Sequence, residues 1–228
     1  MSATSPTIHV AFAPAQALVT VAAARTAPAP ASFVEFKRAA DFALALALLV
    51  LCLPFLVCAV ALIELTSRGP ALFAQWRVGH RGRLFRMYKL RTMVRDAEEG
   101  SGPVWAADDD PRVTAIGTFL RATHLDELPQ LVNVLKGEMS LVGPRPERPA
   151  YVRSFTRSIP NYAARLEVRP GITGLAQICQ GYDRSVADVK RKLAYDLLYV
   201  RRMGWLVDLR ILVATLREVV PTGERAPA

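Results

Sequence analysis

From residue 42 to residue 63 the chain carries no charge, and the run reads FALALALLVLCLPFLVCAVALI. As a helix at 1.5 Å per residue, those 22 positions reach roughly 33 Å, the thickness of a bilayer core. A soluble core helix is rarely so uniformly apolar, so the pattern predicts membrane insertion. Pro54 falls near the middle and removes a backbone hydrogen bond there. Lys37 and Arg38 precede the run, while Arg68, Arg77, Arg81 and Arg83 follow it. Basic flanks prefer the cytoplasm, and here both flanks ask for the same side. A re-entrant helix that turns at Pro54, with arms of about 18 Å, satisfies both; a single span is the alternative.

After the apolar run the period changes. Residues 72–93 (LFAQWRVGHRGRLFRMYKLRTM) show short strand-like runs around GHRG, a hairpin with its turn at Gly79 to Gly82. Residues 95–113 are polar and broken by Gly and Pro. Asp108, Asp109 and Asp110 read there as a solvated turn before Pro111, with a Mg²⁺ role as the alternative. A helical pattern spans 117–136, with Leu125, Leu128, Leu131, Val132 and Leu135 on one face. Pro129 suits a first turn, so a helix is expected to start near Leu128, with Asp126 and Glu127 at its N-terminus. Two further helices are marked by Val186, Val189, Leu193, Leu197 and Val200, and by Trp205, Leu206, Leu209, Leu212 and Leu216. The last has Arg201, Arg202, Arg210 and Arg217 around it and reads as an interfacial amphipathic helix; packing on the soluble domain is the alternative.

The fold class is therefore α+β and mostly helical. A soluble catalytic domain with a small β-hairpin is joined to an N-terminal re-entrant membrane helix and an interfacial amphipathic helix. The expected divisions are an Ala/Pro-rich disordered tail over 1–32, with a short helix possible around 15–24, and the membrane helix over 33–66. The catalytic domain follows over 67–203, and the interfacial helix and tail over 204–228. The tail lacks the basic start and compact apolar core of a cleaved signal peptide.

Composition sharpens this. Hydrophobic residues make up 52% of the 228, and mean hydropathy is +0.21, much of it from the one run. A formal charge of +9 favours anionic partners. Nucleic acid is disfavoured, because aromatic residues are not interleaved with the basic ones as a stacking platform requires. Three cysteines, two of them inside the apolar run, make neither a disulfide framework nor a metal-ligand set. There is no GxxxxGK[ST] and no GxGxxG.

Candidate chemistry clusters in the middle of the chain. Two adjacent acids before a helix commonly do no more than offset its dipole. SLVGPRPERP follows at 140–149, where Pro144 and Pro146 stiffen the backbone around Arg145, a suitable mount for a phosphate-binding guanidinium. RPGITGL at 169–175 is a Pro-Gly turn whose amides could cradle a phosphate.

YKLRTM, DDPRVTAIGTFLR, LDELPQLVNVLKGEMSLVGPRPERP, RPGITGLAQ and YDLLYV…VDLRILVATL occur in that order. Together they resemble the bacterial sugar transferase family, the monotopic polyprenyl-phosphate phosphoglycosyl transferases that initiate exopolysaccharide and surface-glycan assembly. The resemblance covers about residues 34–220. It implies transfer of a sugar-1-phosphate from a UDP-sugar to a polyprenyl (undecaprenyl) phosphate at the cytoplasmic face of the bacterial inner membrane, with release of UMP. It makes Asp126 the nucleophile with Glu127 beside it, and assigns substrate phosphates to Arg91, Arg112 and Arg145. It also implies Mg²⁺, held by Asp126 and Glu127. Where many members have Trp this chain has Leu175, a departure expected to bear on donor preference.

Overall fold

The computed structural model describes residues 31–97, 110–180 and 185–219. Most of the N-terminal tail, the 15–24 helix, and Asp108 and Asp109 lie outside them.

One helix, α1 (Ala31–Thr66), runs through Pro54 and contains the whole apolar segment. It is long and apolar enough to cross a membrane, and little of it is covered by protein. The middle is bare: Val50, Leu51, Phe55 and Val57 are all exposed. Its two ends, in contrast, are gripped by the same soluble body. Near the start, Lys37 Nζ meets Asp208 Oδ2 at 2.6 Å, and Asp41 Oδ2 accepts from Ser140 Oγ at 2.6 Å. Near the finish, Ala59 and Ile63 pack with Ala71, Leu90 and Leu120.

Strands β1 (Leu72–Val78) and β2 (Leu84–Leu90) form the expected antiparallel hairpin, in register Leu72↔Leu90 to Val78↔Leu84. The turn uses two left-handed residues in succession, Arg81 (φ 54°) and Gly82 (φ 78°). Phe85 and Met87 face the main core, and Lys89 continues that side of the strand.

The expected helical stretch divides into three pieces. Helix α2 (Ala115–Ala122) is capped by Thr114, whose hydroxyl accepts from Gly117 N. A 3-10 turn (Leu125–Glu127) follows, and then α3 (Gln130–Lys136), with Pro129 as its N-cap. His124 makes the break by adopting the left-handed region (φ 55°), where an L-residue sits at some cost and His is better tolerated than most. Asn133, on α3, is fully buried. It accepts from Tyr88 N at 3.1 Å and donates to Arg86 O at 2.8 Å, pairing with the backbone of β2 where a third strand would.

Two three-residue strands, β3 (Ser140–Val142) and β4 (Gly171–Thr173), pair in parallel. They are flanked by α4 (Pro149–Ser158) and α5 (Leu175–Cys179), with a 3-10 turn at Tyr162–Glu167. The last elements among the described residues are α6 (Val186–Arg202) and α7 (Trp205–Val219). On α7, Asp208, Ile211 and Ala214 turn inward while Leu206, Leu209, Val213 and Leu216 are exposed. Trp205 contacts Phe33 and Phe36 of α1 edge-on, joining the two apolar surfaces.

Candidate active site

Asp126 and Glu127 sit on the 3-10 turn between α2 and α3, beside the end of β2. Asp126 is buried, 7% exposed. Lys89 reaches both acids from β2: its Nζ lies 2.7 Å from Glu127 Oε1 and 3.7 Å from Asp126 Oδ2. Arg145 meets Glu127 at two points, Nη2 to Oε1 at 2.6 Å and Nη1 to Oε2 at 3.3 Å. Adjacent in sequence, the two acids have different surroundings. Glu127 is held by two cations on both oxygens, whereas Asp126 faces Lys89 at longer range.

Their ionisation follows. Burial pushes the Asp126 carboxyl up; Lys89, Arg145 and Arg121 pull the other way, and the neighbouring Glu127 charge adds to the rise. Burial also acts on Glu127, but Arg145 and Lys89 outweigh it and hold that carboxyl well below the ordinary range. Lys89 is itself pushed down, by burial first. Glu127 is thus a fixed anion, and Asp126 is a carboxylate of raised basicity.

The backbone carrying Arg145 is tied at every residue from 144 to 147. Pro144 O accepts from Gly171 N (2.9 Å), Arg145 O from Arg165 Nη2 (2.8 Å), Pro146 O from Arg77 Nη1 (3.1 Å) and Glu147 O from Val78 N (2.9 Å). The expected stiff mount exists, built by long-range partners as much as by the prolines. The RPGITGL turn is part of it: Gly171 N goes to Pro144 O, and Gly143 N to Thr173 O. The Gly171 amide is thus spent on the Pro144 carbonyl, inside the β3–β4 contact. A Cβ added at Gly171 would lie 2.1 Å from Gly143 N, so glycine is what lets β3 and β4 approach.

The other expected arginines lie apart from the two acids. Arg91 is buried and donates to Arg68 O (2.6 Å), Ser67 O (3.0 Å) and Ser67 Oγ (2.8 Å), fastening the end of α1 to β2. Arg112 grips Asp110, Nε to Oδ1 at 2.8 Å and Nη2 to Oδ2 at 2.6 Å, and holds that carboxyl down at about 2. Leu175 is 4% exposed and belongs to the core cluster that includes Leu141 and Val142.

Two cations near the acids escaped the sequence reading as site residues. Lys89 sits near the end of β2, and only the tertiary contact of that strand end with the 3-10 turn reveals its target. Arg121, on α2, donates from Nε to Thr92 Oγ1 at 2.9 Å and acts electrostatically on both Asp126 and Asp110.

Among the described residues, no three His, Cys, Asp or Glu side chains gather as a metal site. A Mg²⁺ shared by Asp126 and Glu127 does not suit this arrangement, since both Glu127 oxygens already face cations. A Mg²⁺ with Asp126 as single protein ligand does, because the ion ordinarily takes one or two carboxylates and completes its shell with substrate phosphates and water.

The profile of the bacterial sugar transferase family matches residues 31–222. The chain is 42% identical over 184 residues to a UDP-N-acetylgalactosamine-undecaprenyl-phosphate N-acetylgalactosaminephosphotransferase of Aeromonas hydrophila, covering 81% of this chain and 43% of that protein. It is 43% identical over 188 residues to a UDP-glucose:undecaprenyl-phosphate glucose-1-phosphate transferase of Caulobacter vibrioides, covering 82% and 70%. An exopolysaccharide production protein of Rhizobium leguminosarum is 39% identical over 193 residues, covering 82% and 96%. The chain therefore spans less than half of the first relative and nearly all of the third.

Proposed function

The chain belongs to the bacterial sugar transferase family, and from that premise we propose that it moves a sugar-1-phosphate from a UDP-sugar to undecaprenyl phosphate through a covalent intermediate on Asp126. The carboxylate oxygen of Asp126 attacks the phosphorus that bears the sugar. The bond from that phosphorus to the UMP oxygen breaks, and UMP leaves. An oxygen of the lipid phosphate then attacks the same phosphorus and displaces Asp126, which returns as a carboxylate.

The observation that carries this reading is the unequal pairing of the two acids. With Glu127 fixed between Arg145 and Lys89, Asp126 keeps a more basic carboxylate among cations. An anionic nucleophile meets an anionic diphosphate only where positive charge screens both, and Lys89, Arg121 and Arg145 supply it. Mg²⁺, with Asp126 as its protein ligand, would add charge neutralisation at the diphosphate.

The lipid acceptor accounts for the rest of the architecture. Both ends of α1 are fastened to one soluble body while its middle is bare and apolar, which supports a helix that dips into the bilayer and returns. The exposed apolar side of α7, continuous through Trp205 with α1, supports a helix lying at the interface. Basic residues on both flanks of α1 support a site on the cytoplasmic face of the inner membrane.

The test is single-turnover chemistry. Purified protein with a UDP-sugar it accepts and Mg²⁺, but no lipid, is expected to release about one UMP per enzyme and to carry a sugar-phosphate mass on the peptide containing Asp126. Asp126→Asn is expected to lose both. Turnover surviving in that variant would move the nucleophile elsewhere.

A further inference from the structure

Arg165 is only 3% exposed, and it comes from the 3-10 turn at Tyr162–Glu167. Its Nε donates to Asp196 Oδ2 at 2.8 Å, and its Nη2 lies 2.8 Å from the same oxygen. Nη2 also donates to the backbone carbonyl of Arg145 at 2.8 Å, while Nη1 lies 3.5 Å from the Tyr162 hydroxyl. Asp196, on α6, is 2% exposed.

An ion pair this deep is a poor device for stability alone. Removing both charges from water costs as much as, or more than, their attraction returns, and apolar residues of similar volume often serve as well or better. An apolar pair could not hold a donor aimed at a carbonyl. The guanidinium does so because its rigid fork points several N–H groups in fixed directions. The carbonyl it reaches belongs to Arg145, which stands between two prolines that have no N–H of their own to tie the loop. The neighbouring ties, from Gly171, Arg77 and Val78, fall on residues 144, 146 and 147.

We propose that Arg165 is a positioning residue: held by Asp196, it fixes the backbone of Arg145, and through it the α6 core sets where the Arg145 guanidinium meets Glu127. The proposal rests on the phosphotransfer reading above.

Arg165→Lys is the informative variant. It keeps a cation for Asp196, but a single ammonium does not reproduce the fork that also reaches the Arg145 carbonyl. In UMP release from a UDP-sugar with undecaprenyl phosphate, R165K is expected to lower kcat by about 10²-fold with donor KM little changed, the cost of misplacing a group used in the transition state. In an Arg145→Ala background the same substitution is expected to change kcat less than about twofold, because nothing remains to be positioned. Losses that simply multiply in the double variant overturn the proposal.

A second measurement is independent of turnover. Hydrogen exchange in the peptide over residues 141–148 is expected to quicken about tenfold in R165K, with peptides of α2 and α3 unchanged. Unchanged exchange over 141–148 also overturns the proposal. If the wild-type protein releases no UMP from any UDP-sugar, the phosphotransfer reading fails, and the exchange measurement alone decides whether Arg165 holds the loop.

Discussion

Arg145 and Glu127 meet at two points, 2.6 Å and 3.3 Å, across 18 residues of sequence. The contact joins the Pro-Arg-Pro loop to the turn that carries Asp126. Planar two-point pairing is something lysine cannot reproduce. Arg145→Lys is therefore expected to lower kcat by about 10²-fold or more, with Arg145→Ala lower still, on the scale of losing one preorganised charge-stabilising group. Steady-state UMP release checks this; a lysine variant within a few-fold of wild type would show that one point of charge is enough.

The two acids also set the pH dependence. The reactive form of Asp126 is the carboxylate, and its pKa is raised, by burial first. Activity is therefore expected to fall away on the acid side at a pH above the ordinary aspartate range of about 4. Lys89 is the strongest influence opposing that rise. Lys89→Met removes it, so less of Asp126 is ionised at a given pH and the acid limb moves to higher pH. A profile of kcat/KM from about pH 4 to 8 reads both effects. A limb that stays put in K89M means that the titrating group is not Asp126.

Gly117 shows how tightly the site is supported from behind. A Cβ there would lie 2.0 Å from the Thr92 carbonyl oxygen, so α2 could not keep its place. Thr92 accepts from Arg121 through its hydroxyl and from Thr114 N through that same carbonyl. Gly117→Ala is expected to cost about 1–3 kcal/mol as an overpacked contact. In a chain of this size that lowers Tm by roughly 2–10 °C. The displaced Arg121 should lower kcat as well. Thermal unfolding and UMP release on one preparation separate the two effects, and an unchanged Tm would mean that α2 shifts without cost.

The sequence made the long-period features plain. The apolar run became α1, the GHRG hairpin fell within a residue or two of its expected strands, and α6 and α7 match their apolar spacing. Asp126 and Glu127 were expected at the N-terminus of a helix near Leu128; they stand on a separate 3-10 turn just before it, set off by left-handed His124. What stayed hidden has a common cause. Strands β3 and β4 have three residues each, too few for a period, and read as proline and glycine turns. Lys89, Arg121 and Arg165 carry no local signal, because their partners lie 29 to 38 residues away. Arg91 and Arg112 looked equivalent to Arg145 in their motifs, and only the fold shows their guanidinium groups turned to Ser67 and Asp110.

The attachment of α1 bears on its path through the bilayer. Lys37 is bound to Asp208 at 2.6 Å near one end, and Arg91 to Ser67 Oγ at 2.8 Å at the other. Both partners belong to one soluble body, and a body on one side of a membrane cannot hold both ends of a helix that crosses it. Cysteines placed at exposed Ser32 and Arg95, in a chain whose three native cysteines are replaced, report the two flanks separately. A membrane-impermeant maleimide added to intact spheroplasts is expected to label neither, and added to inverted vesicles to label both. Opposite labelling of the two positions would establish a full crossing, and the contacts at Lys37 and Arg91 could not then coexist in the membrane. Lys37→Met gives the intermediate case. Losing the ion pair leaves Asp208 buried beside Asp41 without its cation, which is expected to loosen the first arm and reduce turnover with the lipid acceptor more than the single-turnover release of UMP.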